Sequence, residues 1–148
     1  GAWGILEALE IEGCAHAEPV PGASTLLRRL RDERGLPVAV ITRNCRRVSL
    51  DLLARLSLPH DLLLAREDVA RAKPHPDALL DACRVFDVAP QDAVMVGDLW
   101  PDVAAGRAAG ARTIGIQWPY DPPGRFARCA PDVEVTSLAA VAALLFPP

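Results

Sequence analysis

The chain has 148 residues, about the length of one domain, with 51% apolar and 24% charged residues, the balance of an ordinary soluble globular protein. A net charge of −3 excludes a basic field that would hold nucleic acid or an anionic membrane. The longest apolar run, LAAVAALLF at 138–146, is far shorter than the roughly 20 residues that span a bilayer. No basic segment followed by an apolar one marks a secretory leader. Cys14, Cys45, Cys83 and Cys129 form no C-x-x-C pair, which argues for reduced thiols in a cytoplasmic protein.

In chain order, residues 1–18, GAWGILEALEIEGCAHAE, place Ile5, Leu6 and Leu9 beside Glu7 and Glu10, which suits a short amphipathic helix better than a strand. A helix over 23–34 sets Leu26, Leu27 and Leu30 on one face and stops at Gly35. PVAVI (37–41) reads as a strand buried on both faces. Then comes a helix over 46–57 with the stripe Val48, Leu52, Leu56, and a second buried strand, LLLA (62–65). A helix over 76–87 carries Leu79, Leu80, Cys83 and Phe86, and AVMVG (93–97) is a third buried strand. Pro101 opens a helix over 101–109 that stops at Gly110; its alanines and Gly106 make it thin enough to lie close to a sheet. TIGI (113–116) is a buried strand, DVEV (132–135) a half-buried edge strand, and 137–146 the last helix. The alternation predicts an α/β fold, an open parallel sheet covered by helices, whose ligands bind beyond the carboxyl ends of the strands.

Three polar clusters fall at those ends. Thr42, Arg43 and Asn44 follow the first strand, Lys73 follows the second, and Asp98 comes directly after Gly97 of the third, with Asp102 four residues on. Each has a plain structural role open to it: Thr-Arg-Asn as a helix cap, the aspartates as favourable charges at a helix start, the lysine as an exposed cation. Lys73, however, is the only lysine among sixteen basic residues, and it stands in ARAKPHPDAL beside a Pro-His-Pro turn. Together the clusters suit phosphate and Mg²⁺. A hydroxyl and helix N-terminal amides donate to phosphoryl oxygens. Paired carboxylates offer the oxygen ligands a hard cation takes. A compact ammonium fits between carboxylate and phosphate, where arginine's planar fork demands another geometry.

With these residues in order, the chain resembles the haloacid dehalogenase superfamily of hydrolases, in particular its phosphoglycolate phosphatase-like subfamily. That family has Thr or Ser after its second core strand, Lys after its third and Gly-Asp-x-x-x-Asp after its fourth. VITRN, ARAKPHPDAL and GDLWPD match these with Thr42, Lys73, Asp98 and Asp102, and the likeness covers about 19–137. The resemblance implies a Mg²⁺-dependent phosphatase of small phosphomonoesters working through an aspartyl-phosphate. By carry-over Thr42 binds the phosphoryl group with backbone near Arg43 and Asn44, Lys73 steadies nucleophile and phosphate, Asp98 ligates Mg²⁺, and Asp102 holds its waters or completes its shell. Trp100, between the two carboxylates, would border the substrate pocket.

One motif of the family is missing. Its Asp-x-Asp-Gly-Thr after an apolar strand has no counterpart, since the first aspartate here is Asp32, inside a helix. The expectation is therefore a Rossmann-like core at 19–148 lacking its central first strand, preceded at 1–18 by the remnant of a small helical cap, with the nucleophile upstream of Gly1. Such a fragment would be inactive alone. Its sheet would show either a gap or direct pairing of the strands ending at Ile41 and Val96. A second reading is a non-catalytic regulatory module that keeps the phosphate and Mg²⁺ sites. A response-regulator receiver ranks below both, because it needs an acidic pair after the first strand and a phosphoacceptor Asp before the threonine. His16, His60 and His75 are isolated, Cys45 has no His or Asp pairing to mark it as a nucleophile, and the three tryptophans are not spaced as a stacking platform.

Overall fold

The structure, a computed structural model, describes residues 2–147, with side chains from residue 6 onward. It divides into two compact units, 1–69 and 70–148. The first contains α1 (Ala2–Cys14), α2 (Ala23–Asp32), β1 (Ala39–Ile41), α3 (Arg46–Arg55) and β2 (Leu62–Leu64). The second contains α4 (Asp77–Phe86), β3 (Val94–Gly97), α5 (Trp100–Ala109), β4 (Arg112–Ile116), β5 (Val133–Val135) and α6 (Leu138–Leu145). Every expected helix and strand is present, and all pairings are parallel, as an α/β protein with helical crossovers requires.

In the first unit β1 pairs with β2 in the register Ala39↔Leu62 to Ile41↔Leu64. Asp61 pins the start of this ladder: its carboxylate accepts the Val38 amide at 2.8 Å and pairs with Arg31 at 2.9 Å. That amide, helped by Arg31, holds the Asp61 carboxyl below the usual carboxylate range. α2 ends as expected, with Gly35 at φ 62° in the left-handed region. α3 buries Val48, Ser49 and Leu53, while Leu52 and Leu56 are only half-buried. The buried stripe is thus rotated by one residue from the expected one, because Ser49 turns its hydroxyl back onto the Cys45 carbonyl at 2.8 Å and needs no water.

α1 forms over the region expected to be helical, but its faces are not those anticipated. Leu6 and Leu9 are exposed, whereas Glu10 has a side chain only 11% exposed and bonds to Arg66 and the Cys45 amide. A satisfied ion pair has displaced the apolar stripe from the inner face. The Ile5 and Trp3 side chains lie outside the described residues.

In the second unit the order is β3-β4-β5, with β5 at the edge as expected and registers Val94↔Arg112 and Ile114↔Val133. α5 does lie close to the sheet. A Cβ at Gly106 would sit 2.6 Å from Thr113 Cγ2 and 2.9 Å from Met95 Cβ, so only glycine permits this approach. Gly110, at φ 87°, stops α5 as its position in the sequence implies. Val103, Thr113 and Val141 are the most deeply buried side chains. On α4, Ala78, Leu79, Ala82 and Cys83 are buried but Leu80 is turned to solvent, so two alanines, not Leu80, complete the inner face. In α6 Ser137 caps the first turn by accepting the Ala140 amide at 3.1 Å.

Burial on both faces holds for β2 and β4, but not for β1 and β3. β1 is half-buried throughout, and Val94 and Val96 of β3 remain 39% and 37% exposed. Among the described residues both strands lie at an edge of their ladder, but so does the better-buried β2, so edge position alone does not set the difference. The strands ending at Ile41 and Val96 do not pair among the described residues, which form two separate ladders.

Candidate functional site

Two strand-end clusters, one in each unit, carry the residues singled out by sequence. In the first, the Thr42 amide extends the β1–β2 ladder by donating to the Leu64 carbonyl at 3.0 Å. Its hydroxyl accepts the Asn44 amide at 3.1 Å, a tight side-chain turn that still leaves the O–H proton to donate. The next two amides are taken by carboxylates: Cys45 N–H donates to Glu10 at 2.9 Å and Arg46 N–H to Glu67 at 3.0 Å. The Asn44 carbonyl accepts from the Arg66 amide at 3.1 Å. The start of α3 is therefore already provided with protein anions, as the positive end of a helix favours. A phosphoryl oxygen reaching the Asn44 amide would exchange with the Thr42 hydroxyl. Arg43 is exposed.

Neither Glu10 nor Arg66 stood out in the sequence. Burial alone would raise the Glu10 carboxyl, but the Cys45 amide and Arg66 outweigh it and hold it below its usual range. No periodic signal finds such a residue, because the contact joins positions 56 apart.

In the second unit, Lys73 and Asp102 meet. The Lys73 ammonium lies 2.6 Å from Asp102 Oδ1, and the two side chains are only 13% and 11% exposed. Asp102 Oδ2 accepts the Leu99 amide at 3.1 Å, while the Asp102 amide returns a bond to the Leu99 carbonyl at 3.0 Å. This reciprocal cap fixes the carboxylate at the first turn of α5. Gly97 makes room for it: a Cβ there would overlap Asp102 Cβ and Cγ. The glycine before Asp98 and the aspartate four residues later are thus parts of one packing arrangement. The Lys73–Pro74 peptide is cis, and His75 closes the turn by donating its amide to the Ala72 carbonyl at 3.1 Å.

Asp98 faces different neighbours. Its side chain is 44% exposed, and Oδ2 accepts from Trp118 Nε1 at 3.3 Å and from Arg125 at 3.3 Å; Arg125 also donates to the Asp98 carbonyl at 3.2 Å. Arg128 lies 4.3 Å over the Trp100 ring, a cation–π contact. Trp118 also stacks on Tyr120, at 6.0 Å and 4°. The segment 117–128 therefore wraps Asp98 and Trp100, a role nothing in its sequence disclosed, since one arginine among fifteen carries no mark.

The donors bear on Mg²⁺. Among the described residues no group of three or more His, Cys, Asp or Glu side chains gathers as a metal cage. Asp98 nevertheless suits one edge of a Mg²⁺ shell: it is a half-exposed hard oxygen donor, and a cation, the Arg125 guanidinium, already rests on it. Asp102 has both oxygens committed to Lys73 and Leu99.

Parallel ladders with helical crossovers and polar groups after the strands make this a Rossmann-like α/β protein. A family model for haloacid dehalogenase-like hydrolases matches residues 4–110, and the chain belongs to that family. It is 38% identical over 129 residues to a plasmid-encoded phosphoglycolate phosphatase of Cupriavidus necator, covering 86% of this chain and 55% of that protein. It is 33% identical over 107 residues to the pyrophosphatase PpaX of Bacillus cereus, covering 70% of this chain and 50% of that protein. The chain thus spans about half the length of these relatives. Among solved structures it is similar to a haloacid dehalogenase-family hydrolase of Deinococcus radiodurans with bound phosphate and sodium, at TM-score 0.73 and 28% identity over 85% of this chain and 58% of that one. A hydrolase of Pseudomonas syringae shares the fold at TM-score 0.75 and 24% identity, over 85% of this chain and 59% of that one. None of the helices among the described residues is long and apolar enough to cross a membrane.

Proposed function

We propose that this chain is the greater part of the catalytic core of a Mg²⁺-dependent cytoplasmic phosphatase of small phosphomonoesters. The observation that carries the reading is the Lys73–Asp102 pair packed on Gly97 at the end of β3, with Asp98 half-exposed at the same strand end. Enclosing two charges costs desolvation that close pairing and further hydrogen bonds only offset, so stability alone is a weak reason for such a pair. Here it holds an ammonium at the strand terminus, where a phosphoryl group gains most from a compact charge. Residues 19–148 form the core in this reading, and 1–18 end a small helical cap.

The Thr42 hydroxyl donates to a phosphoryl oxygen, assisted by backbone of Arg43 and Asn44. Lys73 holds phosphate and nucleophile together. Asp98 would give Mg²⁺ one oxygen, and Asp102 keeps Lys73 in place and would reach the metal's waters only through lone pairs left beside its Lys73 and Leu99 bonds. Mg²⁺, when bound, neutralises the charge of phosphate and carboxylate. The nucleophile in this reading is an aspartate not found in this sequence. Its carboxylate attacks phosphorus as the ester P–O bond breaks and the alcohol leaves with a proton from a general acid, and water then cleaves the aspartyl-phosphate to release inorganic phosphate.

Hydrolysis of p-nitrophenyl phosphate with Mg²⁺ tests this. The 148-residue chain is expected to give no turnover above background, and a version that includes the preceding strand is expected to turn over and to lose activity in Asp98→Asn. Turnover by the short chain would overturn the placement of the nucleophile. An inert longer version that still binds phosphate would establish the non-catalytic binding module instead.

A further inference from the structure

Arg125 holds Asp98, but it does so poorly, and a second carboxylate stands next to it. Its bonds to Asp98 are 3.3 Å to Oδ2 and 3.2 Å to the carbonyl, long for a charge-assisted pair, which settles nearer 2.7–2.9 Å. On its other side Nε approaches Asp121 Oδ2 at 3.0 Å. That oxygen is buried and still lacks an aligned hydrogen bond. The Asp121 side chain is 14% exposed, so water does not readily supply the missing donor. One guanidinium is thus shared between two carboxylates and is well placed for neither.

The backbone carrying Arg125 is nonetheless held. Phe126, the next residue, is 5% exposed and packs on β4 where Gly115 leaves room; a Cβ there would lie 2.7 Å from the Phe126 ring. With the main chain fixed, a change of partner is a change of side-chain rotamer only.

We propose that Arg125 is a two-position counter-ion. It covers Asp98 when no metal is bound and moves onto Asp121 when a divalent cation takes the Asp98 carboxylate. The first position adds a countercharge to the Trp118 indole N–H bond that Asp98 already accepts. The second gives the Asp121 oxygen the aligned donor it lacks, which offsets the bond given up at Asp98. Arg125 is a positioning residue in this scheme and touches neither substrate nor metal. The inference rests on the reading of Asp98 as a metal ligand.

The test is Mn²⁺ binding to the 148-residue chain, followed by the electron paramagnetic resonance signal of free Mn²⁺, with no turnover required. Wild type is compared with Asp98→Asn, Arg125→Gln and Asp121→Asn, each checked for native far-ultraviolet circular dichroism. Removing an ion-pair competitor of this exposure corresponds to a gain of roughly two- to fivefold, so Arg125→Gln is expected to bind Mn²⁺ that much more tightly. Asp121→Asn is expected to bind more weakly than wild type, because Arg125 then has no second partner and stays on Asp98. Unchanged or weaker binding by Arg125→Gln overturns the proposal. If that variant does not fold, Asp121→Asn decides: weaker binding supports the exchange, and unchanged or tighter binding overturns it. No wild-type binding, or wild-type binding that Asp98→Asn leaves intact, overturns the metal reading and the proposal together. Asp98-dependent binding with no gain in Arg125→Gln overturns the proposal alone.

Discussion

Lys73 is the residue where composition and structure agree most closely. A single lysine among many arginines drew attention to the Pro-His-Pro turn, and its ammonium proves to be paired with Asp102 in a partly dry setting. Removing one member of such a pair leaves the other buried with its charge uncompensated. Lys73→Met is therefore expected to lower stability by about 3 kcal/mol in urea denaturation, and adding Asp102→Asn is expected to recover most of that loss. The resemblance gave Asp98 and Asp102 different parts at one metal, but their spacing said nothing of their surroundings. Their surroundings differ: one is half-exposed under an arginine, the other enclosed by Lys73 and a backbone amide. Spacing along a helix start fixes distance but not burial, so the sequence had no way to separate them.

At the scale of elements, the strands and helices were legible because their signals are local: short apolar runs, periodic leucines, and glycines at helix ends. What was not legible is the side each helix shows to its unit. α1 buries a glutamate and exposes two leucines, and α4 buries alanines in preference to Leu80. The pairing of β5 with β4 depends on a similarly silent contact. Thr113, 1% exposed in β4, donates its amide at 2.7 Å and its hydroxyl at 2.9 Å to Asp132, and accepts the Asp132 amide at 2.9 Å. The Thr113 amide, more than the hydroxyl, keeps the Asp132 carboxyl below its ordinary range. Thr113→Val preserves shape but strands the Asp132 amide, and a buried polar group left unpaired costs about 1–3 kcal/mol. The expected result is a lower thermal midpoint, with faster hydrogen exchange at Gly115, Ile116 and Gln117 as the β4–β5 ladder loosens.

Over the whole molecule, carboxylates with lowered native pKa recur: Glu10, Asp61, Asp68, Asp77 and Asp132. For Asp61 and Asp132 backbone amides lead, and for Asp77 it is Arg71; for Glu10 and Asp68 burial opposes the shift and arginine and amide bonds override it. A depressed carboxylate contributes its full stabilisation above its unfolded pKa, about 4, and loses it as pH falls through the lower native value. Thermal midpoints are thus expected to be flat from about pH 7 to pH 5 with respect to these groups and to fall steeply below about pH 4. A midpoint that stays level down to about pH 3 would show that these pairs do not contribute to stability.

The sequence by itself determined the α/β alternation, the family, and the ordered residues Thr42, Lys73, Asp98 and Asp102. Each of these rests on local pattern or on position after a strand, where chain direction alone brings side chains to the carboxyl edge. Tertiary structure alone decided which carboxylate is buried, that Gly97 is the space into which Asp102 fits, and that Glu10 and Arg125 occupy the two strand-end clusters. Except for Gly97 and Asp102, which are close in sequence, those contacts join residues tens of positions apart. Charge, volume and solvent exposure select their partners, and none of the three is encoded in the neighbouring sequence.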